Sequence, residues 1–203
     1  MLSIEGLSRR FGAKEVVRSL DLTAAPGQRI ALWGPNGSGK STVLRCVAGT
    51  LTPSTGSVRV GGHRAGDLAA RRLVGASLSQ ERSFYLRLSG RTNLLFFARI
   101  RYEDRREGAR AVDALIEELE IADVAATRVD RCSTGMVQQL GIARALLGNP
   151  SVLLLDEPTR SLDADARGRL WGALGRRPKA VALIATHLDE DVKLCDERVS
   201  FPV

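Results

Sequence analysis

Aromatic side chains make up only 4% of the 203 residues. A surface that stacks the bases of single-stranded nucleic acid needs more of them. The formal net charge of +7 suits nucleic acid or an anionic membrane surface. The arginine pairs at 9–10, 71–72, 105–106 and 176–177 are scattered, however, so the reading is a solvated basic face or one near a membrane, with no nucleic-acid partner. There are three cysteines, Cys46, Cys132 and Cys195, far apart and odd in number, and two histidines. That excludes a disulfide framework and a zinc site, and fits reduced thiols in the cytosol. No stretch approaches the roughly 18 uncharged apolar residues of a membrane span. The opening "MLSIEGLSRRFG" lacks the basic-then-apolar order of a secretory leader. The expectation is a cytoplasmic protein.

What is present is ordinary for a globular chain, 44% hydrophobic and 26% charged, with length for one large domain or two very small ones. "LSIEGLSRRFG" reads as an edge strand, "VVRSLDLTAA" as a second strand closed at Pro26-Gly27, and "RIALW" as a short buried strand. Lys40 to Ala48 reads as a helix ended by Gly49. "SVRVGG" comes after the turn "TPSTG" as another strand. The middle is helical: "SGRTNLLFFARIR" by composition, and "DRREGARAVDALIEELEI" by placing Ala109, Val112, Leu115, Ile116 and Leu119 on one face. Ser133 or Thr134 is placed to cap a helix through Leu147. The strands "SVLLL", "AVALIAT" and "ERVSF" then alternate with the helices "ADARGRLWGAL" and "LDEDVKLC". Such alternation predicts right-handed crossovers and a largely parallel sheet, in one α/β domain with a helical insertion.

Gly34-Pro35-Asn36-Gly37-Ser38-Gly39-Lys40-Ser41, followed by Thr42, matches the phosphate-binding loop pattern G-x-x-x-x-G-K-[ST] in full. Glycines there let successive N–H groups turn inward around phosphate oxygens, and the next helix adds the positive end of its dipole. Lys40 is expected to reach the β- and γ-phosphates, and the Ser41 hydroxyl to ligate Mg²⁺. "SVLLLDEP" ends an apolar strand in two acids, at the sheet edge where ligands bind. Asp156 fits an outer-sphere Mg²⁺ ligand, and Glu157 a group that orients or deprotonates a water aimed at the γ-phosphate.

With these motifs in order, the chain resembles the nucleotide-binding domains of ATP-binding cassette (ABC) proteins over about residues 2 to 201. The resemblance implies a P-loop fold of ABC type: a largely parallel core sheet, an N-terminal antiparallel β subdomain and a helical insertion. It divides a single domain into residues 1–80, about 81–147, and 148–203. It assigns Gln80 to Mg²⁺ and the attacking water, His187 to the γ-phosphate, and Phe11 to stacking on adenine. "CSTGMVQQLGIARAL" resembles the signature helix, whose Ser133 and Gly135 contact the nucleotide of the opposite subunit, and "SLD" at 161–163 resembles the D-loop, giving Asp163. Cys132, Thr134 and Met136 depart from the usual L-S-G-G-Q opening. Thr134 carries a Cβ and a restricted φ, so it is expected to loosen the closed dimer. His63 matches nothing and is left on the surface.

The resemblance further implies two ATP molecules between head-to-tail partners, a homodimer or a homologous subunit, with membrane subunits on separate chains. Three outputs compete: a membrane exporter, a soluble protein acting on ribosomes or nucleic acid, and a signalling or remodelling assembly without transport. Soluble translation-type members usually fuse two such domains, and DNA-repair members carry long insertions; this chain has neither. "SQERSFYLRLSGRTNLLFFARI" looks like the ATPase subunits of ABC-2-type exporters, peripheral on the cytoplasmic face. In that segment Phe84, Tyr85 and Leu86 read either as anchors for a membrane-subunit helix or as filling at the junction of sheet and insertion.

Overall fold

A computed structural model describes residues 1–78 and 84–201. Nine strands are described: β1 (Leu2–Phe11), β2 (Lys14–Ala24), β3 (Arg29–Trp33), β4 (Thr55–Val60), β5 (His63–Arg64), β6 (Val74–Ser77), β7 (Val152–Asp156), β8 (Val181–Thr186) and β9 (Glu197–Ser200). They form an antiparallel sheet in the order β2-β1-β4-β5 and a second sheet in the order β6-β7-β8-β3-β9. Every pairing in the second sheet is parallel, as the alternation of strands and helices predicts. The helices are α1 (Lys40–Val47), α2 (Leu68–Leu73), α3 (Gly90–Arg101), α4 (Arg105–Glu118), α5 (Ala122–Ala126), α6 (Thr134–Leu146), α7 (Ala164–Gly175) and α8 (Asp189–Val192).

The parallel sheet lies between two cores, and the period of two along its strands assigns residues to each. Val152 and Leu154 of β7 join α1 and the antiparallel sheet on one side. Leu153 and Leu155 join the helices of the insertion and α7 on the other. β7 and β8 are buried along their whole length, as central strands covered on both faces must be. Their register then fixes the edge that matters. Trp33 pairs with Thr186, and Asp156 with Ala185, so the carboxyl ends of β3, β7 and β8 finish together.

Three expectations are corrected. β1 is no edge strand; it pairs with both β2 and β4. A register shift between Ile4 and Leu7, with Gly6 at φ +55°, turns Leu7 onto the buried face, which hides the alternation of an interior strand. The last helix is a single turn, α8, because the chain must return to β9 beside β3. Finally, β5, α2, β6 and α5 lie in stretches to which the sequence reading gave no element. β6 is "VGAS", with little apolar pattern to see, and its Gly75 exists for packing: a Cβ there would run into the Ala145 carbonyl of α6.

The insertion follows its periodicity closely. Val112, Leu115 and Leu119 are buried, while Ala109 and Ile116 are half-buried. Ser89 and Asp104 cap α3 and α4 by accepting from the N–H groups of Thr92 and Arg106. The signature helix is capped by Ser133 and ends at Leu146.

Candidate nucleotide site

β3 runs directly into the glycine loop, and α1 begins at Lys40, so the loop hangs from the sheet edge described above. Gly39 occupies the N-cap position at φ +108° with no side-chain cap, which leaves the first N–H groups of α1 facing outward. A Cβ on Gly39 would lie 2.7 Å from the Val16 carbonyl oxygen, so strand β2 presses against the loop from behind. Lys40 is buried, and its Nζ donates to the carbonyls of Gly34 at 2.6 Å and Pro35 at 2.9 Å. The ammonium is thus held inside the loop. Pro35, Asn36 and Gly37 are exposed at its tip, with Ser38 half-buried beneath them.

In front of the loop is a cleft of about 220 Å³ whose walls include Gly37, Lys40, Ser41, Thr42, Asp156 and Glu157. Asp156 ends β7 and is only 5% exposed, and among the described residues no side chain pairs with it. Together with the Ser41 hydroxyl it makes a hard, all-oxygen pair of ligands, and Mg²⁺ is held by one or two such groups plus phosphate oxygens. The residues fit that ion.

Glu157 has a φ of +48°, a backbone region that side chains rarely adopt, and its N–H donates to Ala185 O at 2.8 Å. Such strain persists where surrounding structure imposes it and gathers at working sites. Its carboxylate is nearly buried, with Oε2 2.7 Å from Nδ1 of His187. That approach is close but not aligned as a hydrogen bond, and both carboxylate oxygens lack a hydrogen-bonding partner. His187 comes directly after β8, which is why it meets Glu157 across the sheet edge.

The remaining expected residues that are described do not line the cleft. Phe11, at the end of β1, is 47% exposed, with the Arg9 guanidinium 4.5 Å from its ring centroid. Ser133 Oγ accepts from Met136 N–H at 3.2 Å, and Met136 Sδ accepts in return from Ser133 N–H at 3.4 Å. The methionine at the usual glutamine position therefore completes a capping box through sulfur. Thr134 opens α6 as an exposed residue, and its φ is not positive. A helical position needs no glycine. Gly135 is the tight position: an added Cβ would sit 2.5 Å from the Ser161 carbonyl oxygen. Asp163 caps α7, accepting from Ala166 N–H at 2.8 Å. Gln80 lies outside the described residues.

Two residues were missed. Val16 and Arg160 also line the cleft. Arg160 stands three places after Glu157, where proximity to the acidic pair was the one available signal; Val16 gave none.

The segment after residue 83 splits in its behaviour. Phe84 is buried, edge-on to Phe97 at 6.0 Å, with Arg144 over both rings. Tyr85, Leu86, Phe96 and Ile100 are exposed, and buried Asn93 holds the loop through hydrogen bonds to the N–H and C=O of Tyr85. No helix among the described residues is long and apolar enough to cross a membrane.

Comparison with known proteins agrees with this geometry. Among similar chains, Nod factor export ATP-binding protein I of Rhizobium johnstonii is 36% identical over 199 residues, covering 96% of this chain and 64% of that one. Daunorubicin resistance ATP-binding protein DrrA3 of Streptomyces coeruleorubidus is 34% identical over 199 residues, covering 96% and 63%. The chain thus spans a little under two thirds of the length of these relatives. Among solved structures, an ATP binding subunit of an ABC transporter aligns with TM-score 0.88 at 26% identity, over 98% of this chain and 85% of that one. The dimeric ATP-binding cassette MJ0796 bound to ADP and Pi aligns with TM-score 0.88 at 21% identity, over 99% and 94%, a likeness of fold. Residues 17–160, from the strand behind the glycine loop to the arginine after the acidic pair, match the model of the ABC transporter family, and the chain belongs to that family.

Proposed function

We propose that this chain is the ATP-hydrolysing subunit of a membrane exporter. It closes head to tail with a second copy or a homologous subunit around two ATP molecules, and separate membrane subunits carry the substrate. The observation that carries this reading is a division within one chain. The loop 34–42, Asp156 and Glu157 share a cleft, whereas Ser133 and Gly135 stand outside it, against Ser161. A signature segment in that position serves a nucleotide held by another copy. The names of the relatives, one for Nod factor export and one for daunorubicin resistance, favour outward transport of ABC-2 type.

In this reading the N–H groups of the loop and of α1 hold the phosphates, and Lys40 supplies the point charge at the β/γ oxygens. Ser41, Asp156 and Gln80 hold Mg²⁺, which supplies further neutralisation of phosphate charge when bound. Glu157 orients the attacking water and takes its proton, and His187, already against Glu157, is placed for the γ-phosphate. Phe11 stacks on adenine, and Asp163 fixes the start of α7 behind the D-loop. Exposed Tyr85, Leu86 and Phe96 form the face offered to the membrane subunit, which holds the chain at the cytoplasmic surface; buried Phe84 belongs to the core.

The test is ATP turnover by the full chain. Glu157→Gln should keep ATP bound while turnover falls on the order of 10²-fold, and Lys40→Ala should lose both. Undiminished turnover in Lys40→Ala would overturn the proposal.

A further inference from the structure

Of the polar residues with no exposed surface at all, three belong to one cluster that the motifs do not account for: Thr159, Thr186 and Asp191. Thr159 Oγ1 donates to Asp191 Oδ2 at 2.6 Å, and Thr186 Oγ1 donates to the same oxygen at 3.0 Å. Thr186 Oγ1 in turn accepts from Leu188 N–H at 3.0 Å. Each hydroxyl has one proton to give, so both are committed to this carboxylate oxygen. The Thr159 contact is as short as a charge-assisted bond, and the Thr186 contact has an ordinary length. Asp191 Oδ1 is buried without a hydrogen-bonding partner. A desolvated, half-satisfied carboxylate is a costly way to fill a core, and hydrophobic residues would do that better.

The position of the cluster gives it a use. Thr159 lies two residues past Glu157, and Thr186 immediately precedes His187. One oxygen of Asp191 therefore ties together the two loops whose neighbouring side chains meet at 2.7 Å. The backbone bond from Glu157 N–H to Ala185 O sets the same two loops side by side, and the Asp191 bridge joins them again on the far side of Glu157 and next to His187. We propose that Asp191, on α8, is a positioning residue for hydrolysis: through Thr159 and Thr186 it fixes the Glu157 carboxylate against the His187 imidazole. The inference rests on the ATPase reading above.

ATP turnover by the full chain, with ATP affinity and melting temperature measured alongside, tests it. Asp191→Ala should lower kcat by about 10- to 100-fold, the scale of an ångström-sized misplacement of a reacting group, while KM for ATP stays within about threefold of wild type, because the phosphate loop is untouched. Asp191→Asn keeps an acceptor oxygen for both threonines and should restore most of kcat. In a Glu157→Gln background Asp191→Ala should cause almost no further loss, since the group it positions has gone. Unchanged kcat in Asp191→Ala, or a full multiplicative loss in the double variant, overturns the inference. If Asp191→Ala does not fold, Thr159→Val decides: it removes one donor at constant shape and should still lower kcat, and a wild-type kcat sinks the idea. Failure of the ATPase reading looks different, as wild-type turnover that is absent or indifferent to Lys40→Ala.

Discussion

Gly135 and Thr134 are adjacent, and only one of them depends on lacking a side chain. At Gly135 the obstacle is a backbone carbonyl, that of Ser161, which cannot swing aside as a flexible side chain would. Gly135→Ala should push the start of α6 away from the loop that precedes α7, costing about 1–3 kcal/mol as overpacking does. ATP-driven association should weaken with it, as read by gel filtration in the Glu157→Gln background, and unchanged association would show that the contact has slack. Thr134→Gly should leave association nearly as it was. The family pattern writes both positions as glycine, and spacing alone does not say which one touches something within the chain. The same limit explains what was legible at this scale. The glycine loop and the Asp156-Glu157 pair are contiguous, so their chemistry can be read locally. The partners of Asp191 lie 32 and 5 residues away, and no short pattern joins them. Arg160 and Val16 enter the cleft for the same non-local reason.

At the scale of elements, α4 and α7 are clasped at their ends by charge. Glu118 accepts from Arg177 Nη1 and Nη2 at 2.7 and 2.9 Å, and from Arg176 Nε at 2.9 Å. The Arg177 hydrogen bonds hold the Glu118 carboxyl below the usual carboxylate range, with Arg176 adding to the effect. A folded value below the unfolded one means stability that is present above the ordinary range, near about pH 4.3, and that is lost as pH falls through the lower folded value. Glu118→Gln should therefore cost about 1 kcal/mol at neutral pH, roughly 2–4 °C in melting temperature for a chain of this size. The gap from wild type should close below about pH 4. Thermal melts of both proteins across that range check it, and a gap that does not depend on pH would mean that Glu118 stabilises by shape alone. Neither this clasp nor the short elements were readable beforehand. The long helices α3 and α4 announce themselves by period, whereas β5 and α5 are too short to display one, and β6 is made of small residues that let α6 approach.

Across the whole molecule the charge is unevenly placed. Residues 1–78 carry eleven Lys and Arg against four Asp and Glu, while residues 84–201 carry eighteen of each, so the +7 excess belongs to the part that contains the phosphate loop. A polyanion approaching that part meets an attractive field, and the low aromatic content agrees with a field meant for phosphate rather than for bases. The association rate of a fluorescent ATP analogue, monitored by stopped flow, should fall several-fold between about 0.01 M and about 0.15 M salt, as the Debye length shrinks from about 30 to about 8 Å. A rate indifferent to salt would confine the attraction to the cleft itself.

The order of strands in the parallel sheet also sets a schedule for synthesis on the ribosome. β3 is made early, but its neighbours β8 and β9 are made long after it; Arg29 N–H waits for the carboxylate of Asp196, 167 residues further on. Gly34, the first residue of the loop, is packed against the Phe201 carbonyl, which a Cβ would approach to 2.6 Å. Until β8 and β9 emerge, a growing chain carries its phosphate loop with both edges of β3 unpaired. The phosphate loop therefore gains its final support only when residues 197–201 have emerged, and the geometry of the cleft is a late product of folding rather than a property of the loop's own sequence.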